Sequence, residues 1–372
     1  MDHRIRAFPV EDGGNPRNAS DIVRRENDFY IHPFIEDGEP NYMYHLNVQL
    51  ENSSNEPLEA CFDIEWGTPT HMDARYYLLI CTGDDEWKYL EEVKTEGTRT
   101  IGKGMVPPGT SFLCYQPRYE YGRLLRVADQ LPKDIFTIKS IGKTRRKRDI
   151  LAIEAGNPEK KTVAFYARVH PYETIGNYMI EGMFRWLSDG SFDAKQLLAN
   201  SHLVFVPMPN TDGVADGKNR VTHGGLNFSA NFRHSVEPEA VALKTYFAQQ
   251  KPEVIFDLHA WMNTWDNLTS NDGKIGRAVY KAILAEEKLF FRPVEIRYYD
   301  VAWFVVDHSV NYFASELGVS YFNSSWHHYG RTAADIYAMG VVLLKATAIA
   351  AQEGCKRLAM PDENNLFNYY FF

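Results

Sequence analysis

The stretch Thr162-Val-Ala-Phe-Tyr-Ala-Arg-Val-His-Pro-Tyr-Glu173 decides the fold of the second half of the chain. Its apolar run Thr162–Val169 predicts a buried strand, and the segment Tyr172–Leu187 that follows has apolar residues at helical spacing. His170 and Glu173 therefore stand where a strand ends and a helix begins. Side chains that bind ligands collect at this edge of an α/β sheet.

The chain beyond residue 122 repeats this alternation of strand and helix. Two more apolar runs predict buried strands, at His202–Pro207 and Val254–Leu258. Three further stretches have the apolar spacing of helices: Glu239–Gln249, Lys274–Leu289 and Ala333–Gln352. The pattern predicts an α/β domain over residues 122–372, with a mixed sheet sandwiched by helices.

The first third of the chain reads instead as short strands separated by turn residues. Tyr42–Leu50 alternates, with apolar side chains on one face at Tyr44, Leu46, Val48 and Leu50. Further short strands are predicted at Ala60–Trp66, Tyr76–Cys81, Trp87–Glu92 and Ser111–Gln116. We therefore expect a β-sandwich domain over residues 1–121 ahead of the α/β domain.

A third candidate ligand, His259, follows the predicted strand Val254–Leu258. Two histidines and one carboxylate are a known ligand set of catalytic zinc, which leaves one position open for water and substrate. The spacing alone also fits a loop histidine at His170 and an ordinary first-turn helix charge at Glu173. Three such residues at strand ends favour one zinc ion per chain, with Asp257 as a candidate to orient an imidazole.

Charge and composition exclude several classes of partner. The formal charge of −9 and the pI near 5.8 argue against a nucleic-acid partner, which would need a basic surface. The one basic run, Lys143–Arg148, precedes the apolar Ile150–Ile153 and is interpreted as a hairpin tip. We find neither a signal peptide nor an apolar run of the roughly 20 residues that a membrane span requires. We expect a cytoplasmic protein without a membrane partner, provided that no export signal precedes this sequence; no oligomeric state is indicated.

Three motifs resemble those of the zinc carboxypeptidases, above all their cytosolic carboxypeptidase branch. Ala167–Glu173 resembles the family's Ala-Arg-Val-His-Pro-Gly-Glu, Pro209–Val214 its Asn-Pro-Asp-Gly-Val, and Asp257–His259 its Asp-Leu-His. The motifs occur in the family's order, and the amino-terminal β-domain and Tyr119–Ile153 are similar as well. The resemblance implies the zinc carboxypeptidase fold, and it implies zinc on the two histidines and the glutamate named above.

The resemblance also implies a role for Arg220. When the family pattern is laid from Asp212 to Phe232 without a gap, Arg220 falls on the arginine that polarises the scissile carbonyl. A guanidinium fixed beside zinc would stabilise a developing oxyanion. The alternative is that Arg220 only pairs with a surface carboxylate.

The chain departs from the family at the residues that grip a peptide's carboxyl end. Where carboxypeptidases have Asp-Leu-Asn-Arg-Asn, this chain has Asn227-Phe-Ser-Ala-Asn231. Ser229 and Ala230 cannot make the bidentate carboxylate clamp of an Asn-Arg pair. Arg233 and Arg331 are candidate substitutes, and ordinary removal of a C-terminal residue is in doubt.

The family's general base, a glutamate on a late strand, has two competing placements. If Tyr312–Leu317 is that strand, Glu316 is the base. If Val310–Leu317 is a helix that ends at Gly318, the strand is Val319–Ser325 and Ser325 replaces the glutamate. The local pattern favours the second placement.

Further candidates surround this region. Trp326–Arg331 offers side chains for proton transfer or substrate binding: His327, His328 and Tyr329. Asp307 is a weaker candidate. Three tryptophans are candidate walls for stacking a sugar, with core packing as the favoured role of any single one: Trp261, Trp265 and Trp326.

The sequence therefore predicts a zinc-dependent hydrolase that attacks an amide or ester carbonyl with metal-activated water. Its expected substrate is a small molecule, a peptide or an acylated carbohydrate. The alternatives are a metallocarboxypeptidase with an altered clamp and a zinc-retaining binding protein without catalysis.

Overall fold

The computed structural model describes residues 4–25, 28–36, 43–68, 77–260, 266–290, 294–298 and 307–354. The chain divides into two compact units. The first comprises Met1–Arg123 together with two short later segments, His170–Thr174 and Asp212–Leu226. The second comprises Leu124–Val169, Ile175–Thr211 and Asn227–Phe372. The division of the chain into domains at residues 121 and 122 stays a prediction.

The first unit is rich in β-structure. Its strands are β1 (Ile5–Pro9), β2 (Ile22–Arg25), β3 (Asp28–Ile31), β4 (Asn47–Asn52), β5 (Leu58–Glu65), β6 (Leu79–Cys81), β7 (Trp87–Tyr89), β8 (Glu92–Glu96), β9 (Arg99–Val106) and β10 (Gly109–Cys114), with one 3-10 turn at Ala19–Asp21. They form two five-stranded sheets, in the orders β1-β4-β10-β6-β7 and β2-β3-β5-β9-β8.

The apolar face predicted around β4 is buried at Tyr44, Leu46, Val48 and Leu50, but the strand itself begins only at Asn47. The two sheets face each other across a tightly filled space. A Cβ at Gly102 of β9 would lie 2.7 Å from a methyl of Leu78 and 2.8 Å from one of Leu90. Small residues on β9 thus leave room for leucines from the neighbouring sheet and its flanks, which agrees with the predicted sandwich.

The second unit is built on one eight-stranded sheet. Its strands are β11 (Phe136–Lys143), β12 (Asp149–Gly156), β13 (Thr162–Ala167), β14 (His202–Val206), β15 (Val254–His259), β16 (Asp266–Ser270), β17 (Val294–Tyr298) and β18 (Ser320–Ser325). The strand order is β11-β12-β14-β13-β15-β18-β16-β17. The pairs β14–β13, β13–β15, β15–β18 and β16–β17 are parallel. The pairs β11–β12, β12–β14 and β18–β16 are antiparallel. The predicted mixed sheet is confirmed, and Lys143–Arg148 is the predicted hairpin tip between β11 and β12.

Eight helices lie among the described residues: α1 (Tyr121–Gln130), α2 (Ile175–Leu187), α3 (Phe192–Asn200), α4 (Thr211–Ala215), α5 (Pro238–Gln250), α6 (Gly273–Ala285), α7 (Ser309–Glu316) and α8 (Ala333–Gln352). One face of the large sheet carries stacked phenylalanines from four adjacent strands: Phe205, Phe165, Phe256 and Phe322. Phe184 of α2 packs edge-on against this row. The opposite face packs against α5 and α7 in one apolar cluster. Helices therefore cover both faces, as predicted.

Helix α8 corrects one expectation from the sequence. The helix has 20 residues, and its most apolar 18-residue window has a mean hydropathy of 1.5, so by length and composition it meets the criterion for a membrane span. Half of that apolar window is buried inside the fold. A Cβ at Gly340 would lie 2.2 Å from the Met179 carbonyl oxygen, which shows how closely α8 packs on α2. Burial against α2 explains an apolar helix of this length.

Candidate metal centre

His170 and Glu173 lie in the short connection between β13 and α2. Arg168 has a left-handed backbone (φ 59°), and the chain turns away from the sheet there. The Glu173 N–H donates to the His170 carbonyl oxygen at 3.1 Å and closes a tight turn. The turn brings His170 Nδ1 to 3.0 Å from Glu173 Oε1, with both side chains buried. An imidazole nitrogen and a carboxylate oxygen are thus presented at one point.

Two asparagine side chains hold the end of β13 in place. Asn210 Nδ2 donates to the Val169 carbonyl oxygen at 2.9 Å, directly before His170. Asn177 Nδ2 donates to the Pro207 carbonyl oxygen at 2.7 Å, and Asn177 Oδ1 accepts from Arg168 at 3.0 Å. The residues on either side of the turn are therefore fixed by the end of β14.

His259 is the last residue of β15, and Asp257 orients its ring. Nε2 of His259 lies 3.0 Å from Asp257 Oδ2. The same oxygen accepts the hydroxyl of Tyr166 from β13 at 2.7 Å and that of Tyr321 from β18 at 2.8 Å. Burial raises the pKa of both tyrosines, and the Asp257 charge raises it further, so they remain donors. Because Asp257 engages Nε2, Nδ1 is the nitrogen with which His259 would bind a metal.

A glycine brings α2 close to the end of β15. A Cβ at Gly176 would lie 2.7 Å from the Leu258 carbonyl oxygen and 2.7 Å from the Ala167 Cβ. Any larger residue would push the first turn of α2 away from the ends of both strands. Gly176 therefore permits the close approach of the segments that carry Glu173 and His259.

The three candidate ligands converge. The ligand atoms of His170, Glu173 and His259 all lie within 4.8 Å of one another, and all three residues are buried. Across the described ranges they are the one group of His, Cys, Asp or Glu side chains that could hold a metal. Two tetrahedral zinc ligands at about 2.0–2.2 Å from the metal would lie roughly 3.3–3.6 Å apart, a few tenths of an ångström more than the 3.0 Å between His170 and Glu173. The donor set therefore fits zinc, and the assignment of these residues as zinc ligands stays a proposal.

Arg220 lies on the segment that follows α4. The preceding Asn219 accepts the Tyr172 N–H on its carbonyl oxygen at 3.1 Å. Burial holds the pKa of Tyr172 well above its usual range, the charge of Glu173 raises it further, and the charge of Arg220 opposes both. The carbonyl-polarising role of Arg220 stays a proposal.

The strand placement of Glu316 is wrong. Glu316 is the last residue of α7, Gly318 follows with a φ of 61°, and the next strand is β18. The Glu316 carboxylate forms an ion pair with Arg233 and is 52% exposed. We therefore do not retain Glu316 as the general base. The helix and strand follow the favoured placement, and in the register of β15 and β18 Ser325 lies opposite His259. That Ser325 replaces the family's glutamate stays a prediction.

Arg233 is engaged away from a carboxylate clamp. Besides Glu316, its guanidinium donates to Ser315 Oγ at 3.0 Å. Ser229 is buried and its carbonyl oxygen accepts the Ser309 N–H at 2.9 Å. Ala230 donates its N–H to Asn227 Oδ1 at 3.1 Å. Asn227–Asn231 therefore contributes no cationic side chain, and Arg233 is held on α7.

Trp326 is a core residue, which is the role that the sequence favours for any single one of the three tryptophans. It is fully buried, its indole N–H donates to Ser324 Oγ at 2.8 Å, and its ring packs edge-on against Phe290. Its backbone N–H donates to the His259 carbonyl oxygen at 3.0 Å, which continues the pairing of β15 with β18. The other two candidates, Trp261 and Trp265, lie outside the described residues.

Arg331 is likewise structural. Its guanidinium makes a two-point ion pair with Asp266, and both side chains are 0% exposed. Arg331 also donates to the carbonyl oxygens of Leu289 and His327. It is therefore not available as an altered clamp.

The two histidines and the tyrosine between Trp326 and Arg331 differ in exposure. His327 and His328 are buried and stack with ring centroids 5.0 Å apart. Nδ1 of His327 accepts the Tyr329 N–H at 2.8 Å, so that nitrogen is not protonated. Tyr329 is 42% exposed. Asp307 is half-exposed beside His234, at 3.4 Å.

A comparison with known families now bears on this site. The family model described as zinc carboxypeptidase matches residues 122–272. Over these residues the chain matches a zinc carboxypeptidase domain. The match includes the three candidate ligands, and it implies zinc as the metal.

Curated relatives agree with the zinc carboxypeptidase domain. Cytosolic carboxypeptidase 6 of Mus musculus is 31% identical over 144 residues, which cover 36% of this chain and 25% of that protein. Cytosolic carboxypeptidase 2 of Xenopus tropicalis is 36% identical over 75 residues, which cover 20% of this chain and 8% of that protein. The chain thus spans about a quarter or less of the length of these relatives. The resemblance inferred from the motifs is confirmed.

Solved structures agree with the fold over nearly the whole chain. A metallo-carboxypeptidase from Burkholderia cenocepacia superposes with a TM-score of 0.77 at 16% identity, covering 94% of this chain and 99% of that one. A metallo-carboxypeptidase from Pseudomonas aeruginosa in complex with (2-guanidinoethylmercapto)succinic acid also reaches 0.77, at 14% identity, with 94% and 99% covered. The zinc carboxypeptidase domain and the β-rich unit before it therefore share the fold of these proteins.

Proposed function

We propose that the chain is a zinc-dependent hydrolase that cleaves an amide bond, with zinc held by His170, Glu173 and His259. The observation that carries the proposal is the convergence of these three buried ligand atoms within 4.8 Å. The family match over residues 122–272 supports a peptidase reaction and gives no support to an esterase. Bound zinc would lower the pKa of a water molecule towards neutrality and polarise the scissile carbonyl.

The protein side chains have separate tasks in this reaction. Asp257 holds His259 in one tautomer and orientation through their 3.0 Å contact. Arg220 stabilises the negative charge that develops on the carbonyl oxygen. Removal of one such donor costs about 10²–10³ in kcat in comparable sites.

Proton transfer needs a residue other than Glu316. Ser325, opposite His259, offers a hydroxyl, which is a poor base near neutral pH. We propose His328, because it is buried, stacks on His327 and follows the backbone pairing of Trp326 with His259. An imidazole with a pKa near neutrality serves as either acid or base.

The substrate follows from the missing clamp. Ser229 and Ala230 carry no group for a bidentate grip on a carboxylate, and Arg233 is paired with Glu316. We propose that the chain accepts peptides or acylated amines without relying on a free C-terminal carboxylate. The names of the curated relatives support a cytosolic location.

The test is hydrolysis of matched peptides that end in a free carboxylate or in a carboxamide, together with N-acyl amino acids. We expect turnover that a zinc chelator abolishes and added zinc restores, with a preference of less than about tenfold for the free carboxylate. His170→Ala should abolish turnover, whereas His234→Ala, at a site 78% exposed, should leave it unchanged. Stoichiometric zinc without turnover on any substrate would support a binding protein instead. A strong preference for the free carboxylate would support a carboxypeptidase with an altered clamp.

A further inference from the structure

A buried carboxylate from the amino-terminal part of the chain holds the backbone that carries Arg220. Glu36 is 1% exposed, and its side chain accepts two successive backbone N–H groups. Oε1 accepts from Asn219 at 2.7 Å and Oε2 accepts from Arg220 at 2.8 Å. One residue thus uses both carboxylate oxygens on adjacent amides, which is the binding mode of an anion in a backbone nest.

Asn219 ties the same backbone to two further segments. Its Oδ1 accepts the Tyr44 N–H at 2.7 Å and the His45 N–H at 2.6 Å. Its carbonyl oxygen accepts the Tyr172 N–H at 3.1 Å, one residue before Glu173. The backbone at Asn219 and Arg220 is therefore fixed by contacts with the amino-terminal segment and with the turn that carries the candidate ligands.

Close backbone packing supports the same segment from another side. A Cβ at Gly217 would lie 1.8 Å from the Gly14 carbonyl oxygen, and the Gly13 N–H donates to the Ala215 carbonyl oxygen at 3.1 Å. His45 contacts the Gly13 carbonyl oxygen at 2.8 Å. The segment before Arg220 is thus immobilised, and Glu36 adds hydrogen bonds to the backbone of Asn219 and Arg220.

We propose that Glu36, in the amino-terminal part of the chain, is the positioning residue of Arg220. The inference rests on the proposed function for its catalytic consequence. Glu36 itself touches neither substrate nor metal. It sets the direction in which the Arg220 side chain leaves the backbone, because both hydrogen bonds fix the peptide units on either side of the Asn219 Cα.

A carboxylate is required at position 36 because both of its oxygens accept a backbone hydrogen bond. In Glu36→Gln the side chain keeps one oxygen for one N–H, and its amide group faces the other N–H as a second donor. A buried donor left without an acceptor destabilises that local arrangement. The backbone at Arg220 should then relax while the candidate zinc ligands keep their own contacts.

The experiment compares kcat, KM and zinc content for wild type, Glu36→Gln and the matched control Glu59→Gln at an exposed position. We expect Glu36→Gln to lower kcat by about 10–100-fold, with KM changed by less than about threefold and zinc retained. Glu59→Gln should behave as wild type. In an Arg220→Ala background, Glu36→Gln should cause no further loss, because the two residues act through one group.

A second measurement is independent of turnover. Amide hydrogen exchange over residues 217–222 should be slow in wild type and faster in Glu36→Gln, with no change in Glu59→Gln. If wild type hydrolyses none of the substrates, the proposed function fails. The exchange measurement still tests whether Glu36 holds the backbone of Asn219 and Arg220. Unchanged exchange, or an equal loss of kcat with and without Arg220, would overturn the inference. Should Glu36→Gln not fold, Glu36→Asp, which withdraws the carboxylate by one methylene, serves in both measurements with the same expected direction.

Discussion

Asp257 Oδ2 lies 3.0 Å from Nε2 of His259, so a carboxylate buried in the central sheet fixes which ring nitrogen of His259 faces the candidate metal site. The hydroxyls of Tyr166 and Tyr321 donate to the same oxygen and hold it in place. A carboxylate in this position orients the ring and increases the basicity of a ligating imidazole. The relationship makes Asp257 the most informative residue outside the three ligands.

Asp257→Asn should weaken zinc binding by about 10–100-fold, because the amide cannot hold the imidazole as a carboxylate does. The measurement is a competition titration between the protein and a chromogenic chelator. Tyr321→Phe removes one donor to Asp257 but keeps the carboxylate, so this variant should lose less zinc affinity than Asp257→Asn does. Equal zinc affinities for wild type and a folded Asp257→Asn would show that His259 does not depend on this contact.

Arg331→Met should lower the free energy of unfolding by about 3–5 kcal/mol, because it leaves the Asp266 carboxylate buried without its partner. Chemical denaturation at neutral pH measures the change. The control is Lys94→Met at the exposed pair with Glu96, which should leave stability unchanged. A large rise in KM at full stability would instead make Arg331 a substrate-binding residue.

Gly340→Ala should lower the free energy of unfolding by about 1–3 kcal/mol, because the new methyl collides with the Met179 carbonyl oxygen and forces α8 from α2. Thermal denaturation followed by circular dichroism measures it. Gly83→Ala is the matched control, since its nearest neighbour would be 3.9 Å away. Equal melting temperatures for wild type and Gly340→Ala would contradict the close contact of the two helices.

The lowered pKa of His202 leads us to expect a loss of stability on mild acidification. Burial lowers the pKa of His202 below its ordinary value of 6.5, against the opposing charge of Glu154. Its neutral ring is in contact with Thr162 Oγ1 at 3.0 Å. A depressed histidine pKa means that the unfolded chain binds the extra proton. The contribution of neutral His202 to the free energy of unfolding is therefore fully present above pH 6.5. It is lost as the pH falls through the folded-state pKa.

Between about pH 7.5 and pH 5, wild type should lose more unfolding free energy than His202→Gln does. Denaturant titrations at a series of pH values measure the two slopes. His234→Gln at an exposed histidine should keep the wild-type slope. A His202→Gln slope equal to that of wild type would contradict the assignment.

The sequence predicts the strands and ligands of the second unit well, since their signals are local. Thr162–Glu173 contains an apolar run, a histidine and a glutamate within one strand and one turn, and the observed strand end differs from the prediction by two residues. The sequence around Glu316 fits two secondary structures, because a short apolar run is compatible with either a helix or a strand. Gly318 favours the helix, because a glycine commonly ends one, and the structure has a helix that ends at Glu316.

Other features of the site carry no local signal. Glu36 and Arg220 are 184 residues apart, and nothing in the sequence around Glu36 marks a carboxylate that binds backbone amides. The sequence leaves two roles open for Trp326, because a tryptophan near a site looks the same in sequence whether it lines a pocket or fills the core. Only its burial and its bond to Ser324 separate the two. Long-range packing of this kind follows from the fold and not from spacing.

Zinc content tests the central claim most directly. Purified wild-type protein, dialysed against metal-free buffer and measured by inductively coupled plasma mass spectrometry, should retain about one zinc per chain. His259→Ala should retain almost none, while His234→Ala should match wild type. Well-folded wild type without zinc, and without uptake when zinc is supplied, would contradict the assignment of His170, Glu173 and His259 as a zinc site.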